Sequence, residues 1–210
     1  MAAAWPGEVV RLDRFWDPPL LEPERVRLYG PDTFCLVLAQ KLGLHLVSPA
    51  DDLLLNAPVD LLRRDLRLHP LEALSAQAFP LFAKSLVPKL FRSRAYPTWA
   101  DLEDECRGLD PATPVLLSSV VEILAEARAF VLQGQVVTCS VYEGSAEPPE
   151  AFLSQAARLL DLPQTCVLDA ALLPEGWALL EANATWGAGL NGCSPAAVVP
   201  CLELATRPSE

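Results

Sequence analysis

Histidine is scarce in this chain: His45 and His69 are the only two, and the six cysteines at 35, 106, 139, 166, 193 and 201 include no Cys-x-x-Cys pair. A zinc centre or a Ser-His-Asp triad therefore has little material to be built from. Basic residues are also short, 16 Lys and Arg against 27 Asp and Glu, for a net charge of −11. A nucleic-acid grip needs clustered cations to neutralise phosphates, so that class is excluded, and only residues 84–94 depart locally from the acidic balance. No Gly-Lys-Ser/Thr occurs, so there is no Walker loop. No apolar run approaches the ~20 residues of a membrane span. Residues 1–10 lack a charged start followed by an apolar core, so no signal peptide is expected. These absences predict a soluble, cytoplasmic protein with no membrane partner. Most cysteines fall in apolar stretches, where they act as small hydrophobes, and free buried thiols are expected.

The chain does have apolar mass. At 210 residues and 51% hydrophobic it can form one large domain or two small lobes around a cleft. Twenty prolines and no long Gly/Ser tract imply short, stiff connections, without internal repeats. Three pieces are expected: 1–75, a reduced N-terminal α/β segment; 76–121, a first lobe and hinge; and 122–210, a second lobe. In the first, Asp32 can cap a helix over 33–42 that stops at Gly43, a short strand follows at 44–47, and 53–74 reads as a leucine-rich helical connection. In the second, 80–86 reads as a strand, 98–106 as a helix and 115–121 as another strand. In the third, 126–132 and 135–141 form a hairpin about Gln133-Gly134, 151–160 is a helix, and 169–183 is a hairpin about Pro174-Glu175-Gly176. The fold class is α+β.

The last hairpin carries the densest chemistry. Glu181 and Asn183, two apart, share a strand face, and Asp169 opens the partner strand beside them. Two carboxylates and an amide oxygen are hard ligands of the kind Mg²⁺ takes together with waters and phosphates. The same pattern also describes a hairpin with solvated polar ends. Lys84 stands in an otherwise apolar strand, where an ammonium calls for an anion such as phosphate or else snorkels to water. Arg128 shares a face with Glu126, so its fork suits either a phosphoryl group or a salt bridge to that glutamate. Lys89, Arg92 and Arg94 form a basic segment that either closes over phosphates or is a plain loop. Arg63 and Arg64 read as a solvated basic face.

The order of these features, a lysine strand, a hinge strand, a Glu-x-Arg hairpin, an Asp and then Glu-x-Asn before a glycine-containing loop, resembles the ATP-grasp superfamily of carboxylate-amine ligases over roughly 61–204. Phe82-Ala83-Lys84, Pro88-Lys89-Leu90-Phe91 and Trp186-Gly187-Ala188-Gly189 are most similar to a compact clade of that superfamily. Ser85 stands where the clade commonly has proline, and Ser119 where a glutamate is common. The resemblance implies an ATP-grasp fold, two α+β lobes with ATP in the cleft, using Mg²⁺. Lys84, Lys89 and Arg64 would contact phosphates, and Ser119, Val120 and Val121 would form the hinge that meets adenine. Arg128 would stabilise the transferred phosphoryl group, and Asp169, Glu181 and Asn183 would hold the metal. The implied activity joins a carboxylate to an amine through an acyl-phosphate, with small molecules or peptides as substrates. An ATP-binding module without turnover, or an acidic adaptor that holds a protein partner, remain the alternatives.

Overall fold

Two four-stranded antiparallel sheets organise the chain, which the computed structural model describes over residues 1–87 and 89–209. The elements run α1 (Asp32–Leu42), β1 (Leu44–Leu46), α2 (Val59–Leu62), β2 (Leu66–Pro70), β3 (Leu81–Ser85), β4 (Arg94–Tyr96), α3 (Trp99–Glu105) and β5 (Pro114–Ser119). They continue with β6 (Ala125–Leu132), β7 (Gln135–Gly144), α4 (Glu150–Leu159), β8 (Thr165–Leu173), β9 (Gly176–Asn183), α5 (Pro195–Leu204) and β10 (Thr206–Pro208). The first sheet has the order β2-β5-β3-β4, the second β7-β6-β8-β9, and β1 pairs with β10. No helix among the described residues is long and apolar enough to cross a membrane.

The second sheet packs apolar side chains on both faces, since successive residues of its strands alternate. Phe130 and Val167 pack under α1 and α5 with Cys35, Leu38, Val198 and Cys201. Ala129, Val131, Leu168 and Leu179 point the other way, against Leu153 and Ala156 of α4 and Leu61 and Leu62 of α2. The first sheet has one such face: Ala83, Tyr96, Val115 and Leu117 meet Leu102 of α3. Its opposite face, with Lys84 and Leu116, looks onto an open cleft. Two segments cross between the sheets, residues 63–65 and 120–124.

Local chemistry explains most element ends. Gly43 takes φ 62° and its N–H caps Ala39, which stops α1. Thr98 caps α3 by accepting from the Asp101 N–H. Gln133 and Gly134, at φ 48° and 76°, form the tight β6–β7 turn.

Several sequence expectations need correction. The 53–74 stretch is no continuous helix. It breaks at Pro58 and at Arg63, which is left-handed at φ 48°, and 66–70 becomes β2, paired with β5 from Leu66↔Ser118 to Pro70↔Pro114. Leu66 and Leu68 alternate with Arg67 and His69, the period of a strand. Strand β2 thus belongs to the first sheet although it falls within the segment expected to precede it. Asp32 is not the α1 cap, a position held by Pro31; its carboxylate instead pairs with Lys89. Asp169 lies in the middle of β8 rather than at its start. Helix α5 and strands β4 and β10 are additions to the expected elements. Of the basic loop at 88–91, Pro88 lies outside the described residues.

All six thiols are free, and five are buried. Burial pushes Cys35 and Cys166 up to about 12, and Cys106, Cys139 and Cys201 up to about 11. At pH 8 the thiolate fraction of such groups is on the order of one in a thousand or less, so native protein should resist iodoacetamide while urea-unfolded protein reacts at all six. Rapid native labelling at more than the half-buried Cys139 would contradict this packing.

Candidate nucleotide and metal site

Antiparallel pairing brings the central residues into one row. Arg128 on β6 is opposite Asp169 on β8, and Asp169 is opposite Glu181 on β9. Directly opposed residues share a sheet face, so three charges from three strands meet. Arg128 Nε and Nη2 donate to the two Asp169 carboxylate oxygens, each at 2.7 Å, and Nη1 donates to the Gly189 carbonyl at 2.9 Å. The arginine is therefore held by the acid beneath it and by the loop after β9. Its expected alternative partner, Glu126, instead accepts from the Tyr142 hydroxyl.

Asp169 is 1% exposed. Burial pushes its carboxyl up, the Arg128 pair pulls it back only in part, and the Glu181 charge adds to the rise. Burial draws the Arg128 guanidinium down, but its bonds and charge pairing with Asp169 outweigh this and hold it above its ordinary value. Asn183 Nδ2 donates to Asp169 Oδ2 at 3.0 Å and to Glu181 Oε1 at 2.8 Å. One amide thus bridges two like-charged carboxylates, a place that a divalent cation suits. No group of three or more His, Cys, Asp and Glu that could hold a metal occurs among the described residues, so this site offers two carboxylates and one amide. With the Asn183 amide turned to present its oxygen in place of Nδ2, two carboxylates and an amide would leave the remaining ligand positions to water and phosphate oxygens, as Mg²⁺ prefers. Both Asp169 oxygens are already engaged by Arg128, so Glu181 has the freer lone pairs.

This row opens on a cleft of about 450 Å³ between the two sheets. Lys84 and Lys89 reach it from the first sheet and its following loop, and Arg128, Glu181 and Asn183 from the second. Lys84 is half-buried and forms no salt bridge among the described residues. A third wall comes from the N-terminal part: Asp32, which holds Lys89, and the turn from Ser48 to Leu55. Sequence reasoning missed that wall, because nothing local in 48–55 signals what it faces. It also missed the Gly189 carbonyl as an anchor for Arg128.

Other predicted residues lie elsewhere. Arg64 is not in the cleft: its guanidinium donates to the backbone carbonyls of Leu179 at 2.6 Å and Leu180 at 3.1 Å. Burial lowers its pKa. Arg63 likewise binds the carbonyls of Trp177 and Glu175. Both arginines cap the open edge of β9; Arg64 is half-buried, while Arg63 stays exposed. Ser119 ends β5, and 120–124 is one of the two inter-sheet crossings, but Ser119, Val120 and Val121 do not line the 450 Å³ cleft. Ser119 borders a separate small depression, Val120 is exposed, and Val121 packs near Leu173 and Leu180. Arg92 and Arg94 approach Glu105, and Arg94 lies over the Tyr96 ring, outside the cleft.

Lys84 on one sheet thus faces the row of Arg128, Asp169, Glu181 and Asn183 on the other across this cleft, and sequence comparison supplies the family. Residues 61–201 match an ATP-grasp domain, the second family of its clade, and the chain belongs to that family. None of the curated proteins matches it. Among solved structures it is similar to the ATP-grasp ligase PsnB complexed with minimal precursor, at 17% identity and TM-score 0.48 over 70% of this chain and 55% of that one. It is also similar to a RimK domain protein ATP-grasp from Sphaerobacter thermophilus, at 16% identity and TM-score 0.49 over 73% of this chain and 62% of that one. A third is the macrocyclase MdnC bound with precursor peptide MdnA from Microcystis aeruginosa, at 16% identity and TM-score 0.48, covering 74% and 59% of the two chains. This chain thus spans little more than half the length of these structures.

Proposed function

We propose that the chain is an ATP- and Mg²⁺-dependent ligase that joins a carboxylate to an amine through an acyl-phosphate. The carrying observation is that Lys84, Lys89, Arg128, Glu181 and Asn183, from both sheets, line one cleft. In such a reaction a substrate carboxylate oxygen takes the terminal phosphoryl group of ATP and ADP leaves. An amine then attacks the acyl carbon, phosphate departs, and the amine loses a proton. No side chain has to act as a nucleophile, so the protein's work is positioning and charge compensation. Lys84 would meet phosphate oxygens. Arg128, fixed by Asp169 and Gly189, would present its guanidinium to the moving phosphoryl group without reorganisation. Asp169, Glu181 and Asn183 would hold Mg²⁺, which supplies charge neutralisation on the phosphates. The acid and amine can be small molecules or peptides.

Nucleotide binding tests this directly. Purified protein should bind ATP with Mg²⁺ in calorimetry, and Lys84→Ala should weaken binding roughly tenfold to a hundredfold, the worth of a hydrogen bond to a charged group. Because Lys84 forms no salt bridge among the described residues, the melting temperature without nucleotide should hardly move. Equal affinity of both proteins would make Lys84 a snorkelling residue. ATP binding without ADP release in any acid and amine mixture would indicate a binding module, and no nucleotide effect on melting would indicate an adaptor.

A further inference from the structure

Strand β9 does not reach the site as a regular strand. Leu179 is opposite Ala170, yet Glu181 is opposite Asp169, so Leu180 is an extra residue, a β-bulge. The consequence is large. In a regular strand Leu179 and Glu181, two apart, would face the same way. Leu179 is fully buried with Leu168 and Ala170 against α4, so an unbulged β9 would turn Glu181 into that core. The extra residue moves Glu181 to the face of Asp169 and Arg128. Leu180 goes to the same side, where it packs near Val121, Ala171 and Ala178 rather than on the face opposite Glu181.

A bulge on an edge strand has a backbone cost. Successive carbonyls of a regular strand point to opposite sides, and only alternate ones face outward. Here the consecutive carbonyls of Leu179 and Leu180 both accept from one group, Arg64, through Nη1 and Nη2. Nη1 also bonds Leu62, the last residue of α2, so the arginine ties the bulge to a helix packed on the same core. The planar fork of arginine satisfies two neighbouring acceptors at once, which a lysine cannot do with the same fixed geometry.

We propose that Arg64 is a positioning residue: by capping both carbonyls of the bulge it holds Glu181 on the cleft face beside Asp169, where the pair can take a divalent cation. The metal part of this inference rests on the function proposed above; the positioning part does not. It gives Arg64 a role other than contact with ATP phosphates.

The experiment uses the full chain and three variants, Arg64→Ala, Arg64→Lys and Arg63→Ala. Arg63 caps the neighbouring Glu175 and Trp177 carbonyls, so its loss controls for general fraying of the β9 edge. The first readout is backbone NMR across β8 and β9. In Arg64→Ala the cross-strand NOEs between Asp169 and Glu181 should disappear, in favour of Asp169 with Leu180, and in Arg63→Ala they should persist. The second readout is Mn²⁺ affinity by EPR with a non-hydrolysable ATP analogue present. Arg64→Ala should lose roughly 10- to 100-fold, as removal of groups supporting metal ligands does, and Arg63→Ala should match wild type. Arg64→Lys keeps the charge and should still lose most of the Mn²⁺ affinity. If Arg64→Ala fails to fold, Arg64→Lys carries the test through both readouts. Retained Asp169–Glu181 NOEs in the Arg64 variants overturn the proposal. So does metal-free nucleotide affinity that falls in Arg64→Ala and is restored by lysine, since that is the signature of a phosphate contact. If wild type binds no Mn²⁺, the functional reading fails, and the NOEs alone decide the positioning role.

Discussion

Arg128→Ala should cost about 3–5 kcal/mol of folding stability, the penalty for leaving a buried charge without its partner. Asp169 is 1% exposed, and Arg128 supplies a donor to each of its oxygens; the variant leaves it the Asn183 amide alone. For a chain of this size the loss corresponds to a fall of roughly 6–20 °C in melting temperature. The effect has a pH signature with a definite sign. Burial and Glu181 already push the Asp169 carboxyl above its usual range, and Arg128 is the main group pulling it down. Without the arginine the folded-state pKa rises further above the unfolded one. Such a group binds its proton more tightly in the fold, so its destabilising effect is absent below the unfolded pKa and grows as pH rises through the folded pKa. The gap between wild type and variant should therefore narrow as the pH is lowered toward the usual carboxylate range. Arg128→Met combined with Asp169→Leu removes both charges and should recover most of the stability, a non-additivity expected of residues in direct contact. Urea denaturation at several pH values measures all of this. A loss below about 1 kcal/mol, or one independent of pH, would mean that the pair is solvated.

The part of the site that could be read from sequence is the part set by local rules. The β6–β7 hairpin is legible because Gln133-Gly134 can adopt positive φ, and the β8–β9 hairpin because Pro174-Glu175-Gly176 separates two apolar runs. The β8–β9 hairpin brings Asp169, Glu181 and Asn183 close in space, but the bulge sets Glu181 opposite Asp169 and the long-range β6–β8 pairing brings Arg128 to them. What could not be read depends on distant partners. Period-two counting places Leu180 on the face opposite Glu181, whereas the bulge brings both to one side, and a bulge is defined by its partner strand as much as by its own residues. Arg64 looks like a free cation in the string Arg63-Arg64-Asp65, but two of its three partners are carbonyls more than a hundred positions away. The leucine-rich stretch before β3 satisfies a helical pattern as well as a strand pattern over short windows, and its pairing with β5 decides the matter for β2. Helix α5 is apolar nearly all round and contains Pro200, so it carries neither a clear amphipathic stripe nor high propensity. Its identity comes from burial against β6 and β8.

Glu181→Gln should abolish most turnover while leaving the fold intact. The substitution keeps nearly the same shape and can still accept from Asn183, but it removes a negative charge from the proposed metal site. Loss of a metal-carboxylate contact that stabilises transition-state charge is expected to cost several kcal/mol, roughly a hundredfold or more in rate. Stability should change by no more than about 0.5 kcal/mol, because Glu181 is half-buried and forms no salt bridge among the described residues. Removing its charge also relieves the repulsion that pushes the Asp169 carboxyl upward, so that carboxyl should titrate lower in the variant. Leu179→Ala is the contrasting control. Its side chain is fully buried against α4, so it should lose about 2–5 kcal/mol of stability through the cavity it leaves. Once that variant is assayed below its lowered melting temperature, the chemistry per folded molecule should be largely kept. The two variants thus separate site from scaffold, with ADP release in saturating Mg²⁺ and urea denaturation as the paired measurements. Unchanged Mg²⁺-dependent ATP consumption in Glu181→Gln would reduce the acids of β8 and β9 to polar residues of a hairpin, and the ligase assignment would lose its metal site.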